Sequence, residues 1–241
     1  MWVNLSRGGK AAAAEYAAGL VEDGMVVGLG TGSTASLFVK ALGVRVRAGL
    51  KVVGVPTSVA TTQLAAREGI TTATLEEQPS IDLDIDGADA VDPQLVLLKG
   101  LGGALLREKI VAASSARFVV VVDESKIVET LTGAGLVPVE VVTFGWSRTY
   151  AALQTLGATT TRRTLADDPS HPFVTDGGNY LFDCSFDDLS DAAAIGASIK
   201  ALTGVVDHGL FIGMASAVVV GMDDGTVRVV TNDDDNTAGA S

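Results

Sequence analysis

The sequence predicts an α/β fold: a mostly parallel sheet with helices on both faces, together with a smaller α+β domain of split βαβ, ferredoxin-like type. Three observations predict it. Short apolar runs alternate with helix-forming stretches through the first half of the chain, which is how a parallel sheet reads. Residues 118–122 (Phe-Val-Val-Val-Val) are apolar without alternation, as expected of a parallel strand buried on both faces. Beyond Gly133 and Gly135 the rhythm changes to β-α-β-β-α, the order of a split βαβ unit. With 241 residues, 47% of them hydrophobic and only 5% aromatic, the chain is long enough for both parts and would be cored by Val, Leu, Ile and Ala.

Each element follows from local signals. Residues 10–21 are an alanine-rich helix that Gly24 ends, and 25–29 are a buried strand. The run Gly28-Leu29-Gly30-Thr31-Gly32-Ser33-Thr34 then opens a helix over 35–42. A strand over 51–55 and a helix over 58–68, capped by Thr57 or Ser58, come next, followed by a short strand at 72–75. Residues 81–85 alternate apolar and acidic side chains, a strand pattern, and run into the turn Asp86-Gly87-Ala88-Asp89. Residues 95–98 read as a second buried strand with Lys99 at its end. The turn Gly100-Leu101-Gly102-Gly103 leads into a helix over 104–113 that carries Glu108. The strand at 118–122 ends in Asp123-Glu124-Ser125-Lys126.

In the second half, 137–142 is a strand broken by Pro138 and therefore expected at a sheet edge. A helix over 147–156, a strand over 158–162, a hairpin or bent strand over 174–184 around Gly177-Gly178, and a helix over 190–202 follow. Residues 204–214 and 227–230 read as short strands that rejoin the first sheet, which would make the small domain an insertion. The expected division is residues 1–131 with 205–231 for the large domain and 132–204 for the small one, with a disordered polar tail at 232–241.

Composition narrows the function. The single cysteine, Cys184, cannot form an internal disulfide and suits a reducing cytoplasm. Two histidines and one cysteine, far apart in the chain, give no zinc-ligand spacing, so no metal is expected. A formal net charge of −12 argues against nucleic acid and anionic membrane as partners, and an anionic ligand would need a local positive pocket. No apolar run is long enough to span a bilayer, and no signal peptide is expected.

Two stretches carry chemistry. A strand feeding a Gly/Ser/Thr loop and a helix start offers backbone N–H groups and a helix dipole to an anion. The dinucleotide fingerprint would need a third glycine where Ser33 stands, and the P-loop a lysine where Gly32 stands. The loop therefore suits a single phosphate; its alternative is a tight turn with Ser33 or Thr34 capping the helix. The stretch from Asp86 to Glu108 groups acids, Lys99 and a glycine turn, as open α/β sheets do at the carboxyl ends of strands. Taken singly, Asp86 and Asp89 also read as turn residues, Glu108 as a surface acid, Lys126 as a solvated lysine and His208 as structural. Taken together, with no cofactor fingerprint and no Ser-His-Asp set, they point to acid–base work on a small phosphorylated molecule. A carboxylate can take a proton α to a carbonyl, and an ammonium can stabilise the enediolate. That set describes an aldose–ketose isomerase working without metal.

In order along the chain, Gly28 to Ala35, the Asp86-Gly87-Ala88-Asp89 turn, Lys99 through Lys109, Pro138-Val139-Glu140-Val141, Gly204-Val205-Val206 and Gly209-Leu210-Phe211 closely resemble type A ribose-5-phosphate isomerases. The match runs from about Lys10 to Val230. The resemblance implies a Rossmann-like domain with a late α+β insertion, no cofactor, and reversible conversion of ribose 5-phosphate and ribulose 5-phosphate in the pentose phosphate pathway. It implies Glu108 as the proton-transferring base; the residues themselves suggest Asp86 or Asp89 for ring opening and Lys99 for stabilising the oxyanion. It implies substrate contacts at Thr31, Gly32, Ser33 and Thr34, at Asp86, Gly87, Ala88 and Asp89, and at Lys99, Gly100, Leu101 and Gly102. Lys126 is a further contact, and Lys10, by its place in the first helix, reaches for the phosphate. The family usually forms dimers or tetramers, so a homodimer or homotetramer is expected, with pentose 5-phosphate as the small-molecule partner. Two positions depart from the family: Ala90 stands where Glu often follows the acidic turn, and Leu101 where Gly is common. A sugar-phosphate isomerase-deaminase and a non-catalytic sugar-phosphate sensor remain the rival readings.

Overall fold

The computed structural model describes residues 8–231; the expected tail at 232–241 lies outside the described residues. In chain order the elements begin with α1 (Gly9–Gly19), β1 (Val26–Leu29), α2 (Ser33–Arg47), β2 (Val53–Pro56), α3 (Val59–Arg67) and β3 (Thr71–Thr72). Next come β4 (Leu83–Asp86), β5 (Ala90–Val91), β6 (Leu97–Leu98), α4 (Leu105–Ala113), β7 (Phe118–Asp123) and a single 3-10 turn at Glu124–Lys126. The chain continues with β8 (Val137–Val141), α5 (Trp146–Thr155), β9 (Thr159–Arg162), β10 (Tyr180–Ser185) and α6 (Ala192–Lys200). It closes with β11 (Val205–His208), β12 (Leu210–Phe211), β13 (Ala217–Gly221) and β14 (Val227–Val230). Among the described residues no helix is long and apolar enough to cross a membrane. The described chain divides into two compact units, residues 8–88 with 107–127 and 213–231, and residues 89–106 with 128–212.

The first unit is built on a seven-stranded sheet in the order β14-β13-β7-β4-β1-β2-β3. Its strands are parallel except β14, which pairs antiparallel with β13. One face carries Val27, Leu29, Leu83, Ile85, Val119 and Val121, packed against Ala13, Ala14, Ala17 and Ala18 of α1 and Phe38, Val39 and Leu42 of α2. Small alanines let α1 lie close to that apolar face, and burial of this apolar surface is the main stabilising term. The opposite face carries the acids of β4. All four residues of β4 are buried, Asp84 and Asp86 included. Alternation ordinarily marks one wet face, but a central parallel strand is covered on both sides. Room for the two carboxylates comes from β1, where Gly28 pairs in register with Asp84.

The second unit contains a four-stranded antiparallel sheet in the order β11-β8-β10-β9, crossed by α5 and α6. Its sequence β8-α5-β9-β10-α6-β11 is a complete βαββαβ unit of the ferredoxin-like kind. Val205–His208, expected to rejoin the first sheet, instead pairs with β8 here, and the return to the large sheet is made by Ala217–Gly221 beside β7. Pro138 does not mark an edge: β8 lies between β11 and β10, and all five of its residues are buried. The pairing with β11 covers only Val139 to Val141, so the missing N–H of Pro138 falls where β11 has ended, and its carbonyl still accepts from Gly209 N–H at 2.8 Å. Residues 95–98 do not extend the parallel sheet either. Leu97–Leu98 is the middle strand of a small antiparallel sheet, β12-β6-β5. Cys184 is buried in the core of this unit, and burial pushes its thiol up to about 12, so it stays protonated.

Candidate active site

In the first unit the Thr31 loop leaves β1 and enters α2 through Gly32, whose φ of +111° is open to glycine and costly for other residues. Gly32 is the N-cap, and no side chain caps this helix. The turn-and-cap alternative for Ser33 and Thr34 is thereby set aside. The loop is instead braced from below. Thr31 N–H donates to Asp86 Oδ1 at 3.0 Å, and Gly87 N–H donates to the same oxygen at 2.7 Å. The Thr31 hydroxyl lies 2.7 Å from Thr57 Oγ1, 2.9 Å from Ser58 Oγ and 3.0 Å from Thr61 Oγ1. Thr57 donates to the Leu29 carbonyl and Thr61 to the Gly30 carbonyl, each at 3.0 Å.

The sequence reading missed this hydroxyl platform, taking Thr57 and Ser58 only as helix caps. Ser58 is indeed the N-cap of α3, accepting from Thr61 N–H. The available signal was a Ser/Thr-rich stretch directly after a strand, the same placement as the Thr31 loop. Thr61→Val would strip hydrogen bonds from buried groups, and a loss of about 1–3 kcal/mol is expected. Urea unfolding checks this, and an unchanged midpoint would show that the platform does not hold the loop.

Beside the loop, Lys10 Nζ donates to Ser33 Oγ at 3.2 Å and lies 3.8 Å from Asp123 Oδ2. Partial burial alone would raise the Asp123 carboxyl. Hydrogen bonds from the Ser125 hydroxyl and N–H, with the charges of Lys10 and Lys126, outweigh it and hold the carboxyl below its ordinary value. Lys10 and Lys126 thus flank one carboxylate at the carboxyl end of β7, next to Ser33, in a protein whose net charge is −12.

Two glycines set the position of the acids. A Cβ on Gly30 would stand 2.6 Å from Asp86 Cα, and one on Gly28 would stand 2.8 Å from Asp84 Cγ. Glu108 stands in the first turn of α4 and is only 4% exposed. One turn later Val111 packs with Val55 and Ile81. Residues three apart share a helix face, so Glu108 looks toward the sheet face that carries the acids.

In the second unit Lys99 follows β6 and is 3% exposed. Its N–H donates to Gly209 O at 2.8 Å, and its ammonium lies 5.4 Å from the centroid of the Phe211 ring. Gly100, at φ +100°, turns the chain, and Leu101 N–H donates to Asp89 Oδ2 at 3.0 Å. Leu101 is 49% exposed, while Ala90 is buried in β5. His208 is buried against Gly196, and its Nδ1 accepts from Leu210 N–H at 3.3 Å. The first unit therefore offers a cation-flanked hydroxyl loop and buried carboxylates, and the second a buried ammonium beside a braced glycine turn.

Comparison with known proteins places these features in one family. The family model described as ribose 5-phosphate isomerase A (phosphoriboisomerase A) matches residues 53–225. The ribose-5-phosphate isomerase A of Gloeobacter violaceus is 53% identical over 223 residues, 92% of this chain and 95% of that protein. The solved ribose 5-phosphate isomerase A of Methanocaldococcus jannaschii superposes with a TM-score of 0.87 at 39% identity, covering 92% of this chain and 97% of the other. A D-ribose-5-phosphate isomerase solved in complex with phospho-erythronic acid superposes with a TM-score of 0.88 at 38% identity and the same coverage.

Proposed function

The chain belongs to the ribose 5-phosphate isomerase A family, and on that premise we propose that Glu108 is the base that moves a proton between C2 and C1 of its substrate. The reaction is the interconversion of D-ribose 5-phosphate and D-ribulose 5-phosphate. The observation that carries the proposal is the placement of Glu108: a buried carboxylate in the first turn of a helix, in the same unit as the cation-flanked Thr31 loop.

The phosphate docks on the loop from Thr31 to Thr34, with Lys10 and Lys126 supplying charge. Asp86 and Asp89 each commit one carboxylate oxygen to bracing a turn, and one of the two assists opening of the furanose. Glu108 then takes the proton from C2. The C–H electron pair becomes the C1–C2 double bond, and the carbonyl π pair moves onto O1. Lys99 stabilises that oxyanion. A proton passes between the two oxygens, and Glu108 returns its proton to C1 on the same face. Phospho-erythronic acid, bound by the related isomerase, has a planar carboxylate with the shape of such an enediolate. Homo-oligomeric assembly, which rests on the family resemblance, and a cytoplasmic location, which rests on the lone Cys184, belong to the same proposal.

Equilibration in D2O tests the chemistry. Proton transfer through an enediolate is expected to place solvent deuterium on carbon over many turnovers, slowly because Glu108 is shielded. A substrate pool cycled for many turnovers past equilibrium with no deuterium on carbon would indicate a hydride shift and remove Glu108 from the role.

A further inference from the structure

Arg163 directly follows β9, and its backbone is held on both sides: its N–H donates to Leu181 O at 2.8 Å and its carbonyl accepts from Phe173 N–H at 3.0 Å. Neighbouring side chains on an extended chain point opposite ways. Arg162 lies over the rings of Trp146 and Tyr180, 4.5 Å and 5.5 Å from their centroids. Arg163 turns the other way and uses its whole fork. Nε donates to Asp183 Oδ2 at 2.9 Å, and a terminal nitrogen pairs with Asp183 Oδ1. The other terminal nitrogen donates to the carbonyls of Gly100 at 3.1 Å and Leu101 at 3.0 Å. The side chains of Arg163 and Asp183 are only 14% and 16% exposed.

Those two carbonyls belong to the turn that begins right after Lys99. Asp89 holds the same turn from its amide side through Leu101 N–H. Gly100, at φ +100°, has no side chain with which to lock the turn by itself. A charged fork anchored bidentately on a carboxylate supplies that rigidity, and lysine cannot reproduce its planar geometry.

We propose that Arg163, anchored by Asp183, is a positioning residue that holds the Gly100–Leu101 turn so that Lys99 keeps the placement isomerisation requires. This rests on the role of Lys99 proposed above. Arg163 is not itself expected to touch substrate.

The test is steady-state kinetics with thermal unfolding for Arg163→Lys, Asp183→Asn, Lys99→Ala and the Arg163→Lys/Lys99→Ala double variant. Arg163→Lys keeps a cation beside Asp183, so it is expected to fold normally yet lose on the order of 10- to 10²-fold in kcat from misplacement alone. Its KM should move by no more than about threefold, because ground-state binding is kept. Asp183→Asn should show the same split more weakly. The double variant should be no slower than Lys99→Ala alone, because Arg163 acts through Lys99. Wild-type kcat in a folded Arg163→Lys protein, or losses that multiply in full, would overturn the proposal. So would unfolding of both Arg163→Lys and Asp183→Asn, which would mark the pair as structural. Wild-type turnover in Lys99→Ala would instead overturn the Lys99 reading, and this proposal with it. Collapse of Lys99→Ala with Arg163→Lys unaffected would overturn this proposal alone.

Discussion

Glu108→Gln is expected to lower kcat by on the order of 10²–10⁴, the range that a positioned general base contributes. The amide matches the carboxylate in shape and cannot accept the C2 proton. Glu108 is 4% exposed, so bulk water is poorly placed to substitute for it. KM should change little, because the Thr31 loop and the lysines beside it, proposed to hold the phosphate, are untouched. Kinetics with circular dichroism as a folding control would check this. A well-folded Glu108→Gln protein with near wild-type turnover would remove Glu108 as the base.

Gly30→Ala is expected to damage stability and activity together. Its Cβ would stand 2.6 Å from Asp86 Cα, a backbone atom of the adjacent strand that cannot swing aside. Overpacking of this kind costs about 1–3 kcal/mol, which in a chain of this size lowers Tm by roughly 2–12 °C. Displacing Asp86 also disturbs the oxygen that accepts from both Thr31 and Gly87, so kcat/KM should fall by about tenfold or more. Gly19→Ala is the control: a methyl there meets nothing within 4 Å, and Tm should hold. If Gly30→Ala melts with the wild type, the close approach of β1 and β4 is not a constraint in solution.

Much of the fold was legible because its signals are local. The uninterrupted apolar run in β7, the glycines around Thr31 and the alanines of α1 each declare an element without help from distant residues. Ala217–Gly221 was not singled out: a short apolar run between polar turns has no periodicity of its own. The proline in β8 misled: it was read by the rule for edge strands, whereas Pro138 lies where its neighbour strand β11 has ended. The alternation in residues 81–85 marked the strand correctly, and the burial of its acids came from the covered sheet around it. The rival readings left by the sequence, an isomerase-deaminase and a sensor, yield to the family match and to a relative at 53% identity over 92% of the chain that is named as a ribose-5-phosphate isomerase A.

The sequence by itself located the motifs: the Gly/Ser/Thr loop, the acidic turn, Lys99 and its glycines, and Glu108 in the opening turn of a helix. These are contiguous motifs, and contiguous residues carry their own backbone preferences. Only the tertiary structure decided what stands beside them. It set Thr57 and Thr61 beneath Thr31, brought Lys10 to Ser33, buried Asp84 and Asp86 against β1, and swung Arg163 onto the carbonyls after Lys99. Each of these contacts joins segments far apart in the chain, and such contacts follow from strand order and register rather than from local propensity.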